Sequence, residues 1–334
     1  MPETFPIFHD TIDDTPPPMA SARLVGHQAI IEAMLAEFSS GKMHHATILS
    51  GPQGIGKATL AFHFAKQVFG SAGEANASDK IKVSTHPSLM HVARSWNEDT
   101  KKFRTEIVVD DIHRANYFLS RTASGGGTRI IIIDPADDMN RNAANALLKN
   151  LEEPPANTHY FLISHVAGRL LPTIRSRCRI VEVPELTRAQ VFEILTFNLG
   201  LDAHEAENLA EHSQGSVRQA MMMARYGGIE IVSALNAFIA DKNFGAVAAQ
   251  NLAAAVSDRE SEPRYVMLVD LIDQKLATAA RNNALMGNQQ NAARISAIYQ
   301  AMQQQRSIAE GFKLDRKLEV FNVLRRVHPY IAAG

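Results

Sequence analysis

One cysteine, Cys178, is all that 334 residues contain, which excludes an internal disulfide framework and any zinc site built from several cysteines. Charge of one sign is lacking too. Thirty-four Lys and Arg against 35 Asp and Glu leave a net charge of −1, so no global field draws the chain to nucleic acid, and a direct contact with DNA would need a local basic patch. No apolar run approaches the ~20 residues that span a bilayer. The opening MPETFPIFHDTIDD has neither the basic segment nor the apolar stretch of a secretory signal. The expectation is a cytoplasmic protein with no membrane partner. What is present, 46% hydrophobic and 21% charged residues, suits a soluble globular chain of two or three domains.

Residues 1–20 hold three consecutive prolines, Pro16 to Pro18, which cannot donate backbone hydrogen bonds, and an extended arm is expected there. Over 21–183 short apolar runs (ATILSG, SLMHVAR, EIVVDD, RIIIIDP, HYFLISH, RIVEVPE) alternate with helical stretches. That pattern predicts an α/β domain with a parallel sheet covered on both faces. Four successive isoleucines, Ile130 to Ile133, fit a strand buried on both sides. Residues 184–227 read as short helices punctuated by glycine, and 228–334 as almost wholly helical. In the tail, Leu314, Leu318, Phe321, Leu324 and Val327 recur at helical spacing, predicting one buried face.

Two motifs carry chemistry. Residues 51–60 read GPQGIGKATL, a phosphate-loop spacing that arises by chance in roughly one in ten chains of this length. A strand-like run before it and a helix-like run after it supply the context in which backbone N–H groups and a helix N-terminus hold phosphates. Gly51, Gly54, Gly56, Lys57, Ala58 and Thr59 are thus candidate nucleotide-binding residues, with Lys57 reaching the β- and γ-phosphates. Ala58 stands where a hydroxyl would bind Mg²⁺, and Thr59 is turned about 100° away along the helix. The second motif, IIIIDPADDMN, puts Asp134 at the carboxyl edge of the sheet, a metal-holding position. The next residue is Pro135, which offers no proton acceptor to orient water. Asp137 and Asp138 are expected in solvent or capping the following helix. The two defects together predict no intrinsic ATPase.

RIIIIDPADDMNRNAANALLKNLEEPP followed by HYFLISHVAGRLLPTIRSRC resembles the clamp-loader branch of the AAA+ superfamily, and within it the delta-prime family of bacterial DNA polymerase III. LVGHQ at 24–28, EIVVDDIH at 106–113, GSVRQAM at 215–221 and KLDRKLEVFNVL near the end extend the likeness over most of the chain. The resemblance implies an AAA+ P-loop domain over 21–183, a small helical lid over 184–227 and an all-helical collar over 228–334. It implies that Arg177, in Ser176-Arg177-Cys178, is an arginine finger reaching a neighbouring subunit's ATP. Without it, the arginines around that triplet are equally well a basic strand edge. Arg218 matches a sensor arginine on the subunit's own nucleotide, against the plainer reading of a surface helix arginine, and Ser164 and His165 fall near a polar strand-end position. Motor and delta-type subunits would be partners, with the sliding clamp and primed DNA reached through the complex. No cofactor is required on this reading, although ATP or ADP fits the loop. The zinc module of many relatives is missing, since GSAGEANASDKIKVSTHP has no cysteine. Two other functions stay open: an active motor ATPase of the same machine, and a small-molecule P-loop kinase, which leaves NALLKNLEEPP and Ser-Arg-Cys unexplained. Cys178 is expected to be a packed small residue, and the histidines, His44, His45 and His86 included, show no ligand spacing.

Overall fold

A computed structural model describes residues 6–120, 127–258, 261–312 and 315–332. The chain forms two compact units, Met1–Val217 and Arg218–Gly334. The division falls inside the stretch expected as a lid.

The first unit is built on five parallel strands, β1 (Ala46–Ser50), β2 (Leu89–Val92), β5 (Arg129–Ile133), β6 (Thr158–Ser164) and β7 (Arg179–Glu182), in the order β2-β5-β6-β1-β7. Helices α1 (Gln28–Ser39), α2 (Lys57–Ser71) and α3 (Ala77–Lys82) supply residues to the core on one face. Helices α4 (Val109–Ser120), α5 (Arg141–Glu152) and α6 (Pro172–Arg175) supply the other. The isoleucine run shows why the sequence folds so. Ile130 and Ile132 enter the α1–α2 core, Ile131 and Ile133 the α4–α5 core, and all four are fully buried. Side chains alternate across a strand, so a strand between two helical layers needs apolar residues at every position. This is an α/β fold, a parallel sheet between two helical layers, followed by a helical C-terminal region.

Two expectations of local structure need correction. EIVVDD is not a strand: Ile107 makes a single bridge to Met139, and α4 begins at Val109. Asp111 decides the matter, because its carboxylate accepts the Val108 amide at 2.9 Å, the back-bond of a residue in the first turn of a helix, and it pairs with Arg114 at 2.5 Å. The described part of the arm is not extended. Ile12 and Met19 are buried, a short turn at Pro18–Ala20 packs on α2 and α3, and Phe8 stacks edge-on to His91 at 4.8 Å. A small antiparallel hairpin, β3 (Trp96–Asn97) with β4 (Lys102–Phe103), was not foreseen.

Helices α7 (Arg188–Leu199) and α8 (Ala203–His212) complete the unit; Thr187 and Gln190 form a capping box on α7, and Asp202 caps α8. Helix α9 (Val217–Tyr226) begins at its last residue. The second unit continues through α10 (Ile229–Ala240), α11 (Ala246–Ala255), α12 (Glu262–Leu285), α13 (Gln289–Phe312) and α14 (Arg316–Ile331). The buried residues of α14 are Val320, Leu324, Val327, His328 and Ile331. Leu318 belongs to the first turn and points to solvent at 59% exposure, Phe321 is half-buried, and Leu314 lies outside the described residues. Among the described residues no helix is long and apolar enough to cross a membrane.

Candidate functional site

Three neighbouring strands, β1, β6 and β5, end side by side at Ser50, Ser164 and Ile133. The candidate nucleotide residues grow from these carboxyl ends. The Gly51 amide donates to the Ser164 carbonyl at 3.2 Å, pinning the loop to β6. A Cβ on Gly51 would stand 2.4 Å from the Val183 carbonyl oxygen, so only glycine fits. Gly54 and Gly56 adopt φ of 79° and 95°, left-handed conformations that glycine takes at little steric cost. The glycine cradle and the start of α2 suit phosphate oxygens.

Lys57 is buried, and its Nζ donates to the Gly51 carbonyl at 2.7 Å and the Pro52 carbonyl at 2.6 Å. Two further donors close the loop. The Val217 amide reaches the Gly54 carbonyl at 2.9 Å, and the His27 Nε2 lies 2.8 Å from the Ile55 carbonyl. Burial holds His27 below the usual imidazole range; the Ile55 carbonyl opposes that effect and the Lys57 charge adds to it. Ala58 packs against the α1–α2 core and Thr59 follows it on α2. The cradle therefore fits phosphates, whereas the Mg²⁺ ligand position holds a methyl group.

Asp134 is one-fifth exposed, with Oδ2 3.9 Å from His91 Nε2. Pro135 follows it. Asp137 and Asp138, expected in solvent or as caps, are both engaged. Asp137 accepts the Ser164 hydroxyl at 2.9 Å and the His165 amide at 2.5 Å, so the strand-end polar residues tie the β5 loop to β6. Burial raises the Asp137 carboxyl above its ordinary value, opposed first by the His165 amide. Asp138 pairs with Arg94 at 2.6 Å. The cap of α5 is Asn140, accepting from the Ala143 amide. Position 135 thus has no carboxylate, and Asp137 is bound to β6.

Arg177 sits elsewhere. It precedes β7, at the amino edge of the parallel sheet, whereas the loop follows β1 at the carboxyl edge. Its Nη1 donates to the Thr173 carbonyl at 3.0 Å, and its Nη2 stands 2.8 Å from Glu152 Oε1. Cys178 packs against the α4–α5 core, and burial pushes its thiol up to about 12, which leaves it unreactive. Arg218 opens the second unit, with Nε 3.6 Å from Asp270 Oδ2. His44 and His45 stack on each other at 4.3 Å and His86 pairs with Glu74 at 3.0 Å. Among the described residues no cluster of three or more His, Cys, Asp or Glu could hold a metal. Sequence reasoning missed His27 and Glu152 as partners of the site. Each lies in a stretch noted for its resemblance, but no spacing rule links either to its partner.

Residues 26–187 match the family model described as DNA polymerase III, delta subunit. The DNA polymerase III subunit delta' of Pseudomonas aeruginosa is 39% identical over 155 residues, 44% of this chain and 45% of that protein. The delta' subunit of Escherichia coli is 31% identical over 156 residues, 45% of each. The gamma subunit of Buchnera aphidicola (Schizaphis graminum) is 27% identical over 214 residues, 63% of this chain and 58% of that protein. The matches to the two delta' relatives thus span under half of those relatives' own length.

Proposed function

We propose, from the membership of residues 26–187 in the DNA polymerase III delta-subunit family, that the chain is a clamp-loader subunit that hydrolyses no ATP itself and lends Arg177 to a neighbour's. The observation that carries the reading is the placement of Arg177. A guanidinium at the amino edge of the sheet is separated from the chain's own loop by the length of a strand, about 13 Å for the four residues of β7. That placement supports service to an ATP brought by another subunit rather than to one on its own loop. A planar, always-charged group suits the charge spread over a transferring phosphoryl. The chain's own loop supports the same reading, with Lys57 on its carbonyls, Ala58 in place of a metal ligand and Pro135 in place of an acid.

On this reading 184–227 is the lid, 228–334 the collar, and Arg218 an inherited sensor position. Motor and delta-type subunits are the immediate partners, and the sliding clamp and primed DNA are met through the complex. The longer alignment with a gamma subunit favours an active motor as the second reading; Ala58 and Pro135 weigh against it. The test is ATP turnover. The chain alone should show none above background, and Arg177→Ala should assemble normally yet lower the ATPase of the reconstituted complex by about a hundredfold or more. Turnover near one per second by the chain alone, or an unchanged ATPase in the variant complex, overturns the proposal.

A further inference from the structure

The NALLKNLEEPP helix and the Ser-Arg-Cys triplet are separate motifs in the sequence, and nothing in the nucleotide loop uses the first of them. The structure joins the two. Glu152 is the last residue of α5, and its Oε1 lies 2.8 Å from Arg177 Nη2. Arg177 Nη1 is held from the other side by the Thr173 carbonyl at 3.0 Å and the Ser176 hydroxyl at 3.3 Å. The two anchors do not move independently. Leu147 and Leu151 of α5 and Ile174 of α6 are buried in one apolar cluster, which fixes the end of one helix against the turn that carries the arginine.

We infer that Glu152 is the positioning residue for Arg177, setting the direction in which the guanidinium is presented to a neighbouring subunit's phosphates. This rests on the reading of Arg177 as a finger. A free arginine side chain has about 2 kcal/mol of rotamer entropy to lose. Gripping it at Nη1 and Nη2 removes much of that freedom before the subunits meet. Of the five N–H groups of a guanidinium, those contacts engage three, which leaves Nε–H and one Nη2–H to bind a phosphate oxygen. Glu152 and Arg177 are both partly exposed, at 51% and 35%. Such a pair adds little to stability, and its consequence lies in orientation.

The experiment compares Glu152→Ala, Glu152→Gln and Arg177→Ala in the reconstituted complex, reading kcat and KM for ATP separately after confirming equal assembly. Glu152→Ala should lower kcat by about tenfold, as expected for a misaligned catalytic group, with KM for ATP unchanged within about twofold. Glu152→Gln keeps an oxygen acceptor and should recover at least half of the wild-type kcat. A Glu152→Ala complex with wild-type or higher kcat overturns the inference, as does a glutamine variant no better than the alanine one. An inert Arg177→Ala removes the finger itself, and that outcome is distinct because it defeats the underlying reading whatever Glu152 does.

Discussion

A lysine that exists only to meet phosphate should be expendable for folding, and Lys57 is not placed that way. It is 3% exposed and donates to two carbonyls of its own loop. Replacing it with methionine keeps the aliphatic stem and removes both bonds, leaving carbonyls that an ammonium had satisfied. Hydrogen bonds to charged groups contribute about 1.5–3 kcal/mol each, offset in part by the relief of burying a charge. Lys57→Met should therefore lower the unfolding free energy by roughly 1–3 kcal/mol in urea titrations. A neutral or stabilising effect would show that the ammonium has no structural work in this loop. The sequence made Lys57 visible through glycine spacing. It could not show which way the side chain turns, because that depends on where the Gly51 and Pro52 carbonyls point. Glu152 was hidden for the same reason: its partner is 25 positions along the chain, and only the shared core of α5 and α6 brings the two together.

At the scale of elements, α2 does more than follow the glycine loop. His63 and Lys66, one turn apart on it, both face the Ser21 carbonyl at the end of the arm; Lys66 Nζ donates to it at 2.7 Å. Burial, with the Lys66 charge adding to it, lowers His63 from 6.5 to about 4, while burial first and Lys82 second lower Lys66 to about 8. For His63 the folded value lies below the unfolded one, so falling pH protonates the unfolded chain first. Its contribution to stability is complete above pH 6.5 and is withdrawn between there and about pH 4, with a slope of about 1.4 kcal/mol per pH unit. Lys66 is protonated in both states throughout that window and adds no slope. Urea titrations at pH 7, 6 and 5 should show this loss, and His63→Phe should flatten the curve by about one proton. A variant with the same slope as the wild type would place the titration elsewhere. The arm, α2 and the loop thus form one packed assembly, which three prolines in a row did not suggest. The run EIVVDD misled for a related reason: three apolar residues fit a strand or a helix start equally well. Only the capping carboxylate of Asp111 separates them. Where the pattern was longer, as in Ile130 to Ile133, it placed strand β5 between two helical layers correctly.

For the whole molecule, the question is whether the chain takes a nucleotide at all. Anything bound to the native state alone stabilises it by RT ln(1 + [L]/Kd). At 1 mM Mg-ATP, micromolar binding would add about 4 kcal/mol and raise the unfolding midpoint by roughly 8 °C or more. Against that stands the closure of the loop by its own lysine and by donors from two distant parts of the first unit. His27 comes from the start of α1, Lys57 from α2 and Val217 from the start of α9, and they meet four carbonyls between Gly51 and Ile55. A triphosphate would have to draw the Lys57 ammonium off two of them, and the gain would lack the metal bridge that a hydroxyl at position 58 supplies. Mg-ATP at that concentration should therefore move the midpoint by no more than about 1 °C, corresponding to well under 1 kcal/mol. ATP without magnesium should behave identically, since Ala58 distinguishes nothing between them. A shift of several degrees would mean that Lys57 releases its carbonyls for phosphate. If that shift grew with magnesium, Asp134 would be holding the metal without a hydroxyl at position 58, and the loop would be a working nucleotide site in a chain with proline at position 135.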